Sequence, residues 1–213
     1  MTADRRSVHS AMKRMFDVVV SLFALTLLAV PMLAVALAVR LIDGRPVLFR
    51  QTRPGYKGQP FTVLKFRTMS VAREGQNDAS LDARRLTRLG RVLRSLSLDE
   101  LPQLWNVLVG DMSLVGPRPL LMQYLGRYTP EQARRHDVRP GITGWAQVNG
   151  RNALDWPDRL AMDVWYVDHC SLGLDLRILA KTMVQVLMRQ GISQEGQATM
   201  SEFMGNENSP AQS

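Results

Sequence analysis

The sequence has little of what disulfide scaffolds and zinc centres need. Its 213 residues include one cysteine, Cys170, and three histidines, so neither an internal disulfide nor a zinc site of cysteine and histidine can be assembled. It also contains no P-loop, no dinucleotide-binding glycine pattern and no internal repeat. These absences exclude disulfide-bonded miniproteins, zinc fingers, solenoids and two common nucleotide-binding folds. The length predicts one domain with a core of its own.

Acidic residues are fewer than basic ones. Asp and Glu number 19 against 27 Lys and Arg, which gives a formal net charge of +8. A basic excess attracts nucleic acid, anionic lipid or phosphorylated ligands. The charge alone therefore leaves these three classes of partner open.

One long stretch lacks charge, from Val18 to Val39, and it is interrupted only by Ser21, Thr26 and Pro31. As a straight helix it would be about 33 Å long, which is enough to cross a bilayer. The run is too long for a typical signal peptide, and the residues after it are strongly basic. It therefore predicts a membrane segment.

Both flanks of this segment are basic. Positive residues prefer the cytoplasmic side, so a segment that enters and returns satisfies that preference at both ends, whereas a straight span violates it at one. Pro31 lies near the middle, where it bends a helix. A re-entrant helix broken at Pro31, over residues 12–40, is favoured over a simple span. The flanking cations are Arg5, Arg6, Lys13, Arg14, Arg40, Arg45, Arg50, Arg53 and Lys57.

The rest of the chain predicts a compact cytoplasmic α/β domain, residues 41–205, that is mostly α with a small β-hairpin. Two β-type runs around Pro54-Gly55 predict the hairpin, Gly-rich residues 139–152 predict a loop, and polar residues 206–213 predict a disordered tail. Apolar spacing and the Thr129-Pro130 start signal predict helices over Leu81–Leu96, Leu101–Leu108, Tyr124–Asp137, Trp156–Val167 and Leu174–Met188. The first and last of these are amphipathic, which is typical of interfacial helices and also of solvated ones.

Asp99 and Glu100 stand side by side in a basic region, and a Pro-Arg-Pro turn centred on Arg118 comes after them. A carboxylate among arginines suits chemistry on phosphates, because one acid can attack phosphorus or hold a metal while arginines neutralise phosphoryl oxygens. An isolated Asp-Glu pair is more often the first turn of a helix, where the helix dipole favours negative charge. The motifs around this pair favour the chemical interpretation.

Several long motifs occur in order: Lys65-Phe-Arg-Thr-Met69, the Asp99-Glu100 stretch, Gly110-Asp-Met-Ser113, Gly116-Pro-Arg-Pro119 and Arg139-Pro-Gly-Ile-Thr-Gly-Trp-Ala-Gln-Val-Asn-Gly-Arg-Asn152. With them the chain, from about Met12 to Gly205, resembles the bacterial sugar transferase family, the monotopic phosphoglycosyl transferases, in their minimal form. It looks closest to the undecaprenyl-phosphate diacetylbacillosamine-phosphate transferases, whose C-terminal end is similar to Gly191–Gly196, Thr199 and Phe203.

The resemblance implies an enzyme that is monotopic on the cytoplasmic face of the bacterial inner membrane. A sugar-1-phosphate would pass from a UDP-sugar to undecaprenyl phosphate, with UMP released and with the sugar-phosphate held covalently on Asp99 between the two steps. Mg²⁺ is the implied cofactor, with Asp99 and Glu100 as ligands. The implied partners are membrane lipid and downstream glycosyltransferases besides the two substrates, and no nucleic acid.

The resemblance also implies which residues surround the acidic pair. Lys65, Arg94 and Arg118 are the cations expected at the phosphate oxygens. Pro117 and Pro119 would fix Arg118 in an extended turn that the family associates with the nucleotide. This set is expected to form the substrate-binding half of the site.

Four further positions are implied by the same motifs. Gln147, Arg151 and Asn152 are expected at the nucleotide or the sugar. Asp163 is expected either to orient an arginine or the metal, or to form a structural salt bridge.

One departure from the bacillosamine-type relatives concerns the membrane segment. Those relatives break their helix at Ser-Pro, whereas this chain has Val30-Pro31. A serine hydroxyl reinforces a bend by bonding to the carbonyl one turn earlier, and valine has no such group. The bend is therefore expected to be shallower and to depend on Pro31 and the flanking arginines.

Two alternatives stay open at the level of sequence. The first keeps the reaction and changes the donor from UDP-diacetylbacillosamine, the first choice, to UDP-galactose, UDP-glucose or another UDP-N-acetylhexosamine. The second is a non-catalytic basic membrane protein, which explains the charge and the apolar run but not the acidic pair or the Pro-Arg-Pro turn.

Overall fold

The computed structural model describes residues 3–70, 85–150, 155–188 and 202–205, with side chains from residue 10 onward. The described part is mostly helical with short strands, as predicted. The helices are α1 Ala3–Leu27, α2 Ala29–Ile42, α3 Arg88–Ser95, α4 Gln103–Val109, α5 Pro130–Ala133, α6 Trp145–Asn149, α7 Trp156–His169 and α8 Leu172–Leu187. The strands are β1 Leu48–Pro54, β2 Pro60–Phe66, β3 Ser113–Val115 and β4 Gly141–Thr143.

Helices α1 and α2 form a bent pair that contains the apolar run. The axes of Ser10–Leu27 and Ala29–Ile42 differ by 62°. The break lies just before Pro31, whose ring excludes the helical bond to the carbonyl four residues earlier. Thr26 adds to it, because its hydroxyl donates to the Leu22 carbonyl at 2.9 Å. Among the described helices none alone is long and apolar enough to cross a membrane, whereas this bent pair is by length and composition.

Two cations that precede the apolar run hold α1 on the domain. Lys13 Nζ lies 2.6 Å from Asp175 Oδ2 on α8. Arg14 donates to the Val107 and Leu108 carbonyls at 2.6 and 2.8 Å. These carbonyls belong to the last turn of α4, where cations are favourable partners. The membrane-flanking charges therefore also fix the position of the first helix.

Strands β1 and β2 form the predicted antiparallel hairpin, paired from Leu48↔Phe66 to Pro54↔Pro60. Strand alternation alone would place Arg67 on one face of β2 with Val63 and Lys65, but the strand ends at Phe66 and Arg67 lies just beyond it. Its guanidinium turns back to the end of α2, where Nη1 donates to the Arg45 carbonyl at 2.8 Å and Nη2 donates to the Asp43 carbonyl. Arg67 thus ties the return of the bent pair to the hairpin.

Within the described residues, the helix predicted over Leu81–Leu96 begins later than predicted. Leu86 pairs with Met69 in an isolated bridge, and α3 begins only at Arg88, after the cap Thr87. A side chain at Gly90 would place its Cβ 2.0 Å from the Thr68 carbonyl oxygen, so this close approach requires glycine. Residues 81–84 lie outside the described part.

The apolar face of α3 contributes to a core under the hairpin. Leu93 is buried with Val39 of α2 and Phe66 of β2, and Leu89 packs against them. At α8 the outer apolar side chains stay exposed, namely Leu176, Met183, Val184 and Leu187. The interfacial role remains a prediction for α8, while the leucines of α3 face the core.

The region predicted as a loop, residues 139–152, contains a strand and a helix in its described part, so that prediction is wrong. Strand β4 pairs in parallel with β3, with Ser113↔Gly141 and Val115↔Thr143, and α6 comes directly after it. The main core packs around this small sheet. Its buried members are Leu104, Val107, Met112, Leu114, Val115, Val148, Tyr166 and Ile178.

The predicted helix Tyr124–Asp137 is broken into three pieces. The 3-10 turns Met122–Arg127 and Arg134–Asp137 flank the short α5. The start signal is confirmed, because Thr129 and Gln132 form a capping box and Pro130 takes the first helical position. Breaking the helix lets Arg135 point inward, which matters for the site.

The described end of the chain, residues 202–205, packs on the domain through Phe203. Its ring lies among Tyr124, Tyr128 and Trp156, with ring centroids 5.3 to 5.7 Å apart. The backbone N–H of Phe203 donates to the Tyr124 hydroxyl at 3.1 Å. The tail predicted over residues 206–213 lies outside the described residues.

Candidate active site

The acidic pair, Asp99 and Glu100, lies in the 3-10 turn Leu98–Glu100 that joins α3 to α4. Ser97, just before it, has a left-handed backbone with φ 55° and ψ 20°, which few residues other than glycine adopt. The turn buries Asp99 to 8% exposure. The pair does occupy a helical turn, but a helix start alone requires neither the burial of Asp99 nor the cations that surround the pair.

Glu100 is held by two cations from distant parts of the chain. Lys65 Nζ of β2 and Arg118 Nη2 of the Pro-Arg-Pro turn both donate to Oε1, at 2.6 and 2.8 Å. Burial opposes ionisation, but attraction and hydrogen bonding by Arg118 and Lys65 outweigh it and hold the pKa of Glu100 below its ordinary value. Glu100 is therefore an ionised carboxylate with one oxygen, Oε2, that accepts no bond from the described residues.

Asp99 differs from its neighbour in having no hydrogen bond from any described residue. Burial raises the pKa of Asp99, and the negative charge of Glu100 raises it further. Attraction by Lys65, Arg94 and Arg118 acts in the opposite direction without cancelling this rise. A buried carboxylate that is neither bonded nor paired is a better nucleophile than a solvated one.

Arg94 approaches the site from α3. Its Nε donates to Thr68 Oγ1 at 3.1 Å, and its charge attracts Asp99. Strand β2 and the residues after it thus supply Lys65 directly and position Arg94 through Thr68. The structure brings Lys65, Arg94 and Arg118 together around the acidic pair, as the motifs suggested.

The Pro-Arg-Pro turn is held from behind by a buried ion pair. Arg135 Nη2 donates to Asp163 Oδ2 at 2.6 Å and to the Arg118 carbonyl at 2.7 Å. Burial works against the charge on Arg135, but attraction by Asp163 outweighs it and raises the pKa of the guanidinium. The side chains of Arg135 and Asp163 are only 1% and 4% exposed. Pro117 adds a backbone anchor, because its carbonyl accepts from Gly141 N at 3.0 Å.

Asp163 is therefore found in a structural salt bridge that also positions the carbonyl of Arg118. Gln147 lies elsewhere, since its Nε2 donates to the Ile142 carbonyl at 3.0 Å within the β4–α6 turn. Arg151 and Asn152 lie outside the described residues. The roles predicted for these last three residues at the nucleotide or sugar stay predictions.

Three buried or half-buried residues near the site were not predicted. Arg135 stands in the run Arg134-Arg135-His136, which is typical of a solvated surface. Arg53 and Gln103 line a cavity beside Lys65 and Arg118. Strand alternation could have found Arg53, because Phe49, Gln51 and Arg53 share one face of β1 and Phe49 pairs with Lys65.

A magnesium ion fits this donor set in one way. Among the described residues, no group of three or more His, Cys, Asp and Glu side chains lies close enough to hold a metal ion. Mg²⁺ is usually held by one or two carboxylates, with water and substrate phosphates filling the other positions. Asp99 and Oε2 of Glu100 provide such carboxylate oxygens. The site fits a metal that arrives with a phosphorylated substrate, and not one caged by the protein alone.

Comparison with known proteins gives one consistent picture. The sequence profile of a family described as bacterial sugar transferase matches residues 8–189. The uncharacterized sugar transferase EpsL of Bacillus subtilis (strain 168) is 53% identical over 195 residues, which cover 92% of this chain and 96% of the relative. The UDP-glucose:undecaprenyl-phosphate glucose-1-phosphate transferase of Caulobacter vibrioides is 45% identical over 185 residues, 82% of this chain and 69% of the relative.

A more distant relative has a different sugar in its name. The UDP-N-acetylgalactosamine-undecaprenyl-phosphate N-acetylgalactosaminephosphotransferase of Aeromonas hydrophila is 40% identical over 188 residues, 84% of this chain and 44% of the relative. The family match extends across the acidic pair and the Pro-Arg-Pro turn.

Proposed function

The chain belongs to the bacterial sugar transferase family, and we propose that it is a polyprenyl-phosphate sugar-1-phosphate transferase. It moves a sugar-1-phosphate from a UDP-sugar to undecaprenyl phosphate and releases UMP. The observation that carries the proposal is the acidic pair itself. Glu100 is fixed by two cations, whereas the adjacent Asp99 is buried and has no hydrogen bond from the described residues.

In the first step, a carboxylate oxygen of Asp99 attacks the phosphorus that carries the sugar. The bond from that phosphorus to the oxygen bridging the two phosphates breaks, and its electron pair leaves with UMP. Arg118 and Lys65 lie where they neutralise oxygens of the diphosphate, because both point at the acidic pair. The product is an acyl phosphate between Asp99 and the sugar-phosphate.

In the second step, an oxygen of undecaprenyl phosphate attacks the same phosphorus. The bond to Asp99 breaks, its electron pair returns to the carboxylate, and a polyprenyl diphosphate sugar leaves. Two displacements at one phosphorus predict ping-pong kinetics. Asp99 and Glu100 would hold a Mg²⁺ ion, which would neutralise charge on the diphosphate.

The decisive test of this chemistry is a single-turnover experiment without lipid acceptor. With a UDP-sugar and magnesium, the purified protein should release about one UMP per active site and stop. Its mass should rise by one sugar-phosphate, mapped to Asp99. Asp99→Asn should abolish both signals, while the exposed Asp158→Asn should change neither. UMP release that requires polyprenyl phosphate, with no adduct at any time, would favour a single displacement and demote Asp99 to a metal ligand or base.

The donor sugar is a separate proposal. The relatives above are named for glucose and N-acetylgalactosamine. We infer an amino sugar from the resemblance of the C-terminal end, with UDP-diacetylbacillosamine first and UDP-glucose, UDP-galactose and other UDP-N-acetylhexosamines as alternatives. A panel of these donors, assayed for UMP release at equal concentration, ranks them directly. Faster release with UDP-glucose or UDP-galactose would overturn the amino sugar.

The bent helix pair and its basic flanks support a location for the reaction. We propose that both ends of the pair lie on the cytoplasmic face of the bacterial inner membrane. Single cysteines at Val8 and Arg45, in a Cys170→Ser background, should both be shielded from an impermeant thiol reagent in intact cells. Labelling of position 8 alone would mean a full span. Pro31→Leu should increase that labelling, because a straight helix of this length can cross.

A further inference from the structure

A small cavity opens beside the acidic pair, between the hairpin and the Pro-Arg-Pro turn. Its volume is about 50 Å³, which is more than a single water molecule needs. The hairpin supplies one face of it, because Phe49 pairs with Lys65 and Gln51 pairs with Val63 in the register. The full lining is Phe49, Gln51, Arg53, Val63, Lys65, Gln103, Arg118 and Pro119.

The charged residues that line this cavity are all cations. Lys65 and Arg118 share the single carboxylate of Glu100. Arg53 has only the Gln51 amide oxygen, at 2.6 Å from its Nη2, and it forms no ion pair with a carboxylate of the described residues. Of the three cations that line the cavity, two are bonded to Glu100 and are also attracted by Asp99, whereas Arg53 has no carboxylate partner among the described residues. Such an arrangement is stable when an anion completes it.

A second observation comes from α4, which contributes Gln103 to the lining. Gln103 is 3% exposed and lines the cavity, and its Nε2 has no hydrogen-bond partner among the described residues. Buried donors are nearly always paired, so an unpaired one at a cavity indicates a place for a ligand's acceptor oxygen. A phosphate group offers acceptor oxygens and the negative charge that the cations lack.

We propose that this cavity binds a phosphate group, with Arg53 and Arg118 as its cations and Gln103 Nε2 as a neutral donor. The bound phosphate group would belong either to the nucleotide or to the polyprenyl acceptor. Only this choice of molecule rests on the proposed function. Burial and repulsion from Arg118 lower the pKa of Arg53 to about 10, so the group is protonated at neutral pH and gains from an anion. Arg53 and Gln103 are thus binding residues that the sequence motifs did not single out.

The experiment compares Arg53→Gln with Arg50→Gln. Arg50 is exposed on the same strand and pairs with Leu64, so its side chain points away from the cavity. Arg50→Gln therefore removes the same charge at a position outside the cavity. Melting temperatures are recorded first. Gln103→Glu is the second variant, since it keeps the shape and places a negative charge where the phosphate would lie. It remains informative if Arg53→Gln does not fold.

Two kinetic measurements distinguish the sources. If the cavity holds the nucleotide phosphate, Arg53→Gln and Gln103→Glu raise the Kd for UMP and the UDP-sugar concentration at half-maximal burst by tenfold or more. If it holds the acceptor phosphate, both variants instead raise the KM for polyprenyl phosphate by that factor. Arg53→Lys should recover part of either loss. Values equal to those of Arg50→Gln in both measurements would overturn the proposal.

A third measurement separates this inference from the proposed reaction. Binding of inorganic phosphate to the purified protein needs no donor sugar and no lipid. It should weaken in Arg53→Gln and Gln103→Glu and stay unchanged in Arg50→Gln. If no UDP-sugar ever yields UMP with the wild type but phosphate binding behaves in this way, the reaction fails and the anion site stands. If UMP is released normally and phosphate binding is equal in all variants, only the anion site fails.

Discussion

Arg118 joins two clusters of charge that differ in how completely the protein satisfies them. Behind it, Arg135 and Asp163 form a buried pair whose guanidinium also donates to the Arg118 carbonyl. In front of it, the Arg118 side chain reaches Glu100, next to an Asp99 without any hydrogen bond from the described residues. We call the first cluster closed, because its two charges pair with each other. We call the second cluster open, because Asp99 accepts no hydrogen bond from the described residues.

This difference separates stability from function on physical grounds. A closed buried pair contributes little over an apolar replacement, but breaking it leaves an uncompensated charge in the interior. An open cluster costs stability, because a carboxylate with a raised pKa is desolvated without compensation. Open groups persist where a ligand satisfies them. Removing a member of the closed cluster should therefore destabilise the protein, and removing a member of the open one should inactivate it.

The largest effect on stability should come from Asp163→Asn. It leaves the Arg135 guanidinium buried without a counter-charge, which should lower the free energy of unfolding by about 3–5 kcal/mol. Urea unfolding of the protein in detergent micelles measures this change. A loss below about 1 kcal/mol would show that Asp163 belongs with the open cluster.

A double variant provides the control for that measurement. Asp163→Leu with Arg135→Met removes both charges and should recover most of the stability. It should not recover UMP release, because the Arg118 carbonyl has lost its donor and the turn is no longer held. Full activity in the double variant would mean that the pair does not position Arg118.

The same contrast occurs within the motif Lys65-Phe-Arg-Thr-Met69. Arg67→Met removes donors to the Asp43 and Arg45 carbonyls and should cost about 1.5–3 kcal/mol of unfolding free energy. Lys65→Met should cost less stability than Arg67→Met, because burial already works against the charge on Lys65 and lowers its pKa, and Arg118 still pairs with Glu100. It should nevertheless slow UMP release far more. Equal effects of the two variants on both quantities would remove the distinction between structural and functional cations.

The sequence predicted the open cluster better than the closed one. Its members lie in recognisable motifs, namely Asp99, Glu100, Lys65 and Arg118. Carboxylates and cations suit phosphate chemistry whatever fold holds them, so their residue types alone indicated it. The partner of Asp163 was not predictable, because Arg135 comes after another arginine in what looks like a surface helix. Its inward direction depends on the replacement of that helix by 3-10 turns, which is a tertiary effect.

The elements of the fold divide in a similar way. The hairpin, α4, α7 and α8 have clear apolar periods, and their existence was predicted. The parallel pair β3–β4 has strands of three residues, which is too short for a periodic signal, and β4 lies among glycines that are typical of a loop. Those glycines permit close contact: a Cβ on Gly116 would lie 2.3 Å from the Arg139 carbonyl oxygen. Close backbone approach of this kind is not visible in one sequence.

The pH dependence of UMP release should report the open cluster. Asp99 attacks only when ionised, and burial raises its pKa, so the acid limb should have its midpoint above the ordinary value of about 3.9. Lys65 attracts the ionised form, so Lys65→Met should move the midpoint to higher pH. The burst rate as a function of pH measures both, with Arg50→Gln as the variant that leaves the midpoint unchanged. A midpoint at the ordinary value would mean that Asp99 is solvated, and a midpoint below it would mean that the neighbouring cations stabilise its ionised form.

The smallest effect should be on the stability of Asp99→Asn, and here its sign is informative. Because the folded pKa of Asp99 is raised, the ionised carboxylate destabilises the folded state above that pKa, and the penalty disappears as pH falls through it. Asparagine carries no charge to desolvate, so the variant should melt at the same temperature as the wild type or higher at about pH 7.5. That advantage should shrink at about pH 4.5. A variant that is less stable at neutral pH, and regains stability in acid, would indicate that the Asp99 carboxylate is held by its neighbouring cations. The acidic pair would then be a second closed cluster, and not a site kept open for a ligand.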